Sequence, residues 1–172
     1  MGFLRRNLRK CNKQFKETAY KSLVRSTLEY AAVVWDPQRK EICKSVEAVQ
    51  RKAARFVCND WGQTSSVDAM INELRWEPLA DRRRNLRLSM LFKILNGKVC
   101  IPATEYTSFT KRKTRSNFYN ANSKTLISYS CRIDIYKDSF FPQTIEDWNE
   151  LPDQSVTSNT IEQFKASLLR RQ

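Results

Sequence analysis

The chain has 172 residues, with 31 Lys plus Arg against 18 Asp plus Glu, a net charge of +13 and no histidine. Its 41% hydrophobic and 28% charged residues are those of a soluble globular chain of one to one and a half domains. The missing histidine excludes imidazole acid/base catalysis, serine triads and any zinc site with a histidine ligand. Cys11, Cys43, Cys58, Cys100 and Cys131 form no C-x-x-C pair, and Gly2, Gly62 and Gly97 form no phosphate-cradling loop. The sequence therefore reads as an intracellular chain with thiols in a reducing compartment, nuclear or cytoplasmic being unresolved. No apolar run exceeds Ala31 to Trp35, and Arg5, Arg6 and Arg9 interrupt the first ten residues, so neither a membrane span nor a signal peptide is expected.

In chain order, Phe15, Ala19, Leu23, Thr27, Tyr30, Ala31 and Val34 recur at three and four, predicting one long helix over 12–34 that stops before Pro37. Ile42, Val46, Val49, Ala53 and Phe56 define a second helix, packed on the first as a hairpin. Residues 59–63 read as a loop. Ser65, with Asp68 three residues on, opens a short helix through Val67, Met70, Ile71 and Leu74. Pro78 sits in the first turn of a further helix whose Leu79, Leu86, Met90, Leu91, Ile94 and Leu95 run to a stop at Asn96-Gly97. Cys131, Ile133 and Ile135 alternate with polar residues and predict a strand, with residues 124–129 as its partner in a candidate β-hairpin. Phe140, Phe141 and Trp148 fall on a short helix that ends near Pro152. A last helix is capped by Ser158 or Asn159 and turns Ile161, Phe164 and Leu168 inward.

Charge is segregated along this order. Residues 1–40 carry a net +7, 41–74 a net −1, 75–115 a net +8 and 116–172 a net −1. Two basic blocks alternating with neutral ones suit a surface that meets polyanions, although plain solubility is the competing explanation. On the second helix Lys44, Arg51 and Arg55 share one row within about 40 degrees, opposite the apolar stripe, either as a solvated face or as a track along a phosphate backbone. Arg83 and Arg87 fall inside the apolar arc of their helix and need a carboxylate or a phosphate, while Arg82 points outward as a better ligand. The run Lys111, Arg112, Lys113, Arg115 reads as an exposed loop, a nucleic-acid contact or a nuclear-import signal. Trp35, Trp61, Trp76 and Trp148 are core or joint residues or, alternatively, base-stacking platforms. The acids Glu146, Asp147 and Glu150 are the densest group, explained by surface solvation.

Several stretches, taken in order, carry a resemblance. They are residues 2–8 (GFLRRNL), 19–25 (AYKSLVR), 28–31 (LEYA), 34–37 (VWDP) and 49–56 (VQRKAARF), then 74–76 (LRW) with Leu79, and 81–84 (DRRR). Further on come 92–97 (FKILNG), Thr114-Arg115, 139–142 (SFFP), 148–152 (WNELP) and Phe164-Lys165. No single stretch is diagnostic, but the ordered set is specific, and it covers nearly the whole chain. It resembles the thumb and the segment after it in the reverse transcriptase (RNA-directed DNA polymerase) of non-LTR retrotransposons, transposable elements of the jockey or chicken-repeat type. Ser26 departs from that pattern, which usually has proline there.

The resemblance implies a mostly α fold: a helical thumb-like bundle over residues 1–100, a basic loop or joint over 101–123, and a small α+β segment over 124–172 that packs back on the bundle. It implies a non-catalytic fragment, since the family's Tyr-x-Asp-Asp palm signature has no counterpart and the chain contains no Asp-Asp. The implied partners are RNA or RNA–DNA duplex and the palm of a parent polymerase, without a cofactor, a metal or a membrane. The candidate nucleic-acid-binding residues are Lys44, Arg51, Arg55, Arg82, Lys111, Arg112, Lys113 and Arg115. The alternative is a free-standing helical protein-interaction module whose basic charge serves solubility.

Overall fold

The computed structural model describes residues 1–110 and 122–169, and the described chain is mostly helical. It divides into two compact units, Met1–Arg83 and Arg84–Gln172. The sequence places the end of the helical module near residue 100. The division falls inside a continuous helix whose Leu88, Leu91, Phe92 and Ile94 are all buried, on more than one of its faces.

Unit 1 begins with α1 (Gly2–Asn7), anchored by the buried Leu4. α2 (Lys13–Ala19) is capped by Asn12, whose side chain accepts the Phe15 amide at 2.8 Å. It passes into a π-helical segment (Tyr20–Arg25) and then α3 (Ser26–Glu29). Three hydroxyls bond back one turn along this stretch: Ser22 to the Thr18 carbonyl, Ser26 to the Ser22 carbonyl and Thr27 to the Leu23 carbonyl. Such back-bonding competes with the main-chain ladder and favours local widening. The Ser26 amide donates to Lys21, five residues back, a bond that proline at this position would delete.

The long helix expected over 12–34 is therefore interrupted. Ala31 takes a left-handed φ of 50°, and α4 (Ala32–Trp35) restarts beyond it. The expected face is also rotated. Tyr20 is fully buried and Lys16 nearly so, whereas Phe15, Leu23, Tyr30 and Val34 are exposed. Beyond Tyr20 the widened turn and the left-handed residue shift the phase that a uniform 3.6-residue period assumes, whereas Phe15 and Lys16 lie before them in regular α2, which buries a neighbouring face.

α5 (Lys40–Cys58) follows and packs through Gln50, Ala53, Ala54, Phe56 and Val57, all in its last three turns. Ile42 at its other end remains exposed. α6 (Val67–Glu73) starts at Ser66, whose hydroxyl accepts the Ala69 amide; Ser66, not Ser65, is thus the cap. The core of unit 1 centres on Tyr20, stacked on Trp76 at 4.7 Å between ring centroids. The Tyr20 hydroxyl donates to Gln50 Oε1 at 3.3 Å, and Trp76 Nε1 donates to Glu17 Oε1 at 2.9 Å. Gln50 in turn donates to the Glu77 carbonyl, so the buried polar atoms of this core answer one another.

α7 (Leu79–Leu95) ends at Gly97, whose φ of 62° suits glycine, as the Asn96-Gly97 stop predicts. Unit 2 continues with α8 (Ala103–Tyr106), α9 (Asp134–Lys137), α10 (Phe140–Asn149), α11 (Asp153–Val156) and α12 (Ile161–Leu169). The strand expected over 131–136 is absent. Asp134 opens a helical turn closed by Lys137 N–H on the Ile133 carbonyl, and Ile133 and Ile135 face solvent with no layer to cover them. Residues around Leu126 pair instead with Phe109 in an isolated antiparallel bridge, so the candidate hairpin partner lies earlier in the chain.

The stretch 148–152 (WNELP) organises unit 2. Trp148 is buried and donates to the Lys124 carbonyl at 3.0 Å. The Asn149 amide pairs with both main-chain groups of Leu126 at 2.9 Å, standing in for a neighbouring strand. Leu151 joins the core and Pro152 precedes α11. Phe164 stacks on Phe92 at 4.6 Å, and its helix α12 is capped by the Thr160 hydroxyl on the Gln163 amide; the expected caps Ser158 and Asn159 do not serve.

Candidate nucleic-acid interface

The arginines of α7 that fall in its apolar arc are buried and paired. Arg83, 2% exposed, donates from Nε to Asp36 Oδ1 at 2.6 Å, and Arg87, 4% exposed, reaches Asp147 Oδ2 at 3.0 Å. Arg84 bonds the other oxygen of Asp147 at 2.7 Å and Glu150 at 3.3 Å. The dense acids of α10 thus include ion-pair partners as well as solvated groups. Arg82 is less free than its outward phase suggests. It forms a two-pronged contact with Glu29 and lies 3.5 Å from Glu77, and the Glu29 hydrogen bond raises its pKa further above the usual arginine value.

The row on α5 divides by role. Lys44 is exposed and has no carboxylate partner among the described residues. Arg51 pairs with Asp68, both of them well exposed, and pairs of that kind contribute about 0–1 kcal/mol in water, so Arg51 remains available to an anion. Arg55 donates from Nη1 to the Gly62 carbonyl at 3.0 Å and from Nη2 to the Ser65 carbonyl, clamping the loop after α5. Lys111, Arg112, Lys113 and Arg115 lie outside the described residues.

That clamped loop builds a second cationic feature that the sequence reading passes over. α5 ends at Asn59 in the left-handed region, φ 54°. Asp60 Oδ1 then accepts the Gly62 amide at 2.9 Å and the Ser65 hydroxyl at 2.8 Å, and these bonds hold its carboxyl below the usual range. A Cβ at Gly62 would come within 2.6 Å of Ser65 Oγ, so a side chain there would displace the hydroxyl that bonds Asp60. The loop presents Trp61, and the Arg5 guanidinium lies 4.3 Å from the centre of its ring.

Between this loop, α1 and α2 lies a concavity of about 740 Å³ lined by Arg5, Arg6, Arg9, Lys16, Phe56 and Trp61, with no carboxylate among its described lining residues. The sequence offered one signal for it. Arg5, Arg6 and Arg9 recur at helical spacing beside the start of α2, a pattern read above only as the interruption of a leader.

Among the described residues no group of three Cys, Asp or Glu side chains is placed to hold a metal ion. No helix among them is long and apolar enough to cross a membrane. All five cysteines are free. Comparison with protein-family models, with curated proteins and with solved structures finds no match to this chain.

Proposed function

We propose that the chain is a non-catalytic nucleic-acid-binding module, the thumb and post-thumb fragment of a non-LTR retrotransposon reverse transcriptase, acting in a reducing intracellular compartment. It grips an RNA–DNA or DNA duplex by its phosphates, with little readout of sequence. The observation that supports this most directly is charge left uncompensated within unit 1. Arg5, Arg6 and Arg9 near α1, and Lys44 and Lys52 on α5, are exposed and have no carboxylate partner among the described residues. Where this fold buries arginine it supplies an acid, so cations left without one are available to a polyanion.

A protein partner is favoured by a separate observation: Leu23, Tyr30 and Val34 stand in solvent, the last two 80% and 85% exposed. The palm of a parent polymerase is the occupant that the resemblance suggests, and a free-standing interaction module is the rival reading.

The test is binding of the purified chain to duplexes of unrelated sequence over a range of salt. Lys44 and Arg51 rise about 10 Å apart along α5 at 1.5 Å per residue, enough to meet separate phosphates. Replacing both by glutamine should weaken all duplexes alike and make the slope of log affinity against log salt shallower by about 1.8, at roughly 0.9 per contact. An unchanged slope would leave α5 as a merely solvated face and favour the protein-interaction reading.

A further inference from the structure

The concavity beside Trp61 contains a charge that the protein does not balance. Lys16 is 4% exposed as a whole residue, and its ammonium, which borders the open concavity, makes no hydrogen bond or ion pair among the described residues. Its only described electrostatic partner is the Phe56 ring, 5.3 Å from Nζ, a cation–π contact that leaves the charge without a counter-ion. The other charged groups lining the concavity are Arg5, Arg6 and Arg9, all of the same sign, so they add repulsion. Four cations around one depression with no carboxylate among its described lining residues favour an anion from outside.

The chemistry of that anion can be narrowed. A phosphate monoester carries about −1.5 to −2 at neutral pH, where a diester inside a strand carries one charge, so a monoester answers four clustered cations better. The volume lies within the roughly 300–1,000 Å³ range of small-ligand sites, which suits a nucleotide and not a length of duplex backbone. Trp61, with the Arg5 guanidinium against its ring, is still 46% exposed and is held by a turn that Asp60, Gly62, Ser65 and Arg55 fix, which leaves its exposed surface at the rim to a base.

We infer that this concavity binds a nucleoside phosphate monoester, with the phosphate against Lys16 and the arginines and the base against Trp61. The natural source is the phosphorylated end of a single strand. This deepens the nucleic-acid reading above and rests on it for the choice of macromolecule.

The test compares 5′-phosphorylated and 5′-hydroxyl hexathymidylate, each labelled at the 3′ end, with thymidine monophosphate and inorganic phosphate as competitors. The phosphorylated strand should bind about tenfold more tightly or better, as charge-assisted hydrogen bonds to a dianion imply. Thymidine monophosphate should compete more strongly than inorganic phosphate, and Trp61→Leu should close that gap. Lys16→Met keeps the length of the side chain and removes the stranded charge, so it should erase the preference for the phosphorylated end without lowering the melting temperature. If Lys16→Met does not fold, Arg6→Gln with Arg9→Gln, both exposed, should reduce the same preference. Competition by free thymidine monophosphate as strong as by the phosphorylated strand would identify a free nucleotide as the source. Equal binding of the two strands, or a preference that survives these variants, overturns the proposal. Duplex binding without end preference would sink this inference alone, whereas end preference without duplex binding would sink the duplex grip and leave this site standing.

Discussion

The arginines of α7 and the cations around the Trp61 loop are similar in chemistry and opposite in circumstance. Arg83, Arg84 and Arg87 each meet a carboxylate supplied from far along the chain, Asp36, Asp147 or Glu150. Lys16 is as deeply buried as Arg87 and meets none. A cation that is buried and paired holds a fold in register. One whose stem is buried and whose ammonium borders an open concavity, with no carboxylate among its described lining residues, is left to meet an anion there.

Breaking a pair should therefore destabilise the protein, and the largest effect belongs to Arg83. Removing one member of so buried a pair strands the other, and Arg83→Ala should lower unfolding free energy by about 3–5 kcal/mol in urea titration. Arg83→Met combined with Asp36→Leu should recover most of that loss, because no charge is then left alone. A parent-like midpoint for Arg83→Ala would show that the pair is not formed.

Asp147 is more exposed than Asp36 but answers two arginines at once. Asp147→Asn should cost about 2 kcal/mol, the range of hydrogen bonds to charged groups, and should leave nucleic-acid affinity undiminished. A clear fall in affinity would mean that these arginines are ligands rather than struts.

The smallest expected effect sharpens the comparison from the neutral side. Burial pushes the Tyr20 phenol well above its ordinary value of 10.0. The unfolded chain then releases this proton first as pH rises, so stability is full below about pH 10 and declines above it. Lys13, raised by its hydrogen bond to Glu73, contributes in the same direction. Tyr20→Phe should flatten this alkaline limb and cost about 1 kcal/mol at neutral pH through loss of the Gln50 contact. Melting temperature followed from pH 8 to 11 checks both; a limb as steep in the variant as in the parent would assign it to other groups.

Much of the fold was legible because local signals agreed with one another. Pro78 and Asn96-Gly97 bracket α7, Ala53 and Phe56 of the expected α5 stripe are buried while Ile42 is not, and the phase of Arg83 and Arg87 predicted burial with an acid that the structure supplies. The misreadings have equally local causes. Cys131, Ile133 and Ile135 alternate like a strand, but alternation specifies a strand only where something covers one face, and here these isoleucines remain exposed. The face of residues 12–34 was assigned from a uniform helical period, which the π-helical turn and the left-handed Ala31 do not keep.

The sequence by itself determined that the chain is helical, strongly basic and without histidine chemistry, since composition, period and helix stops depend only on near neighbours. Which cations are spent on the fold and which are left over was decided by tertiary structure alone. An ion pair such as Arg83 with Asp36, or an ammonium like Lys16 left without one, depends on groups tens of residues apart, and no spacing along the chain reports whether they meet.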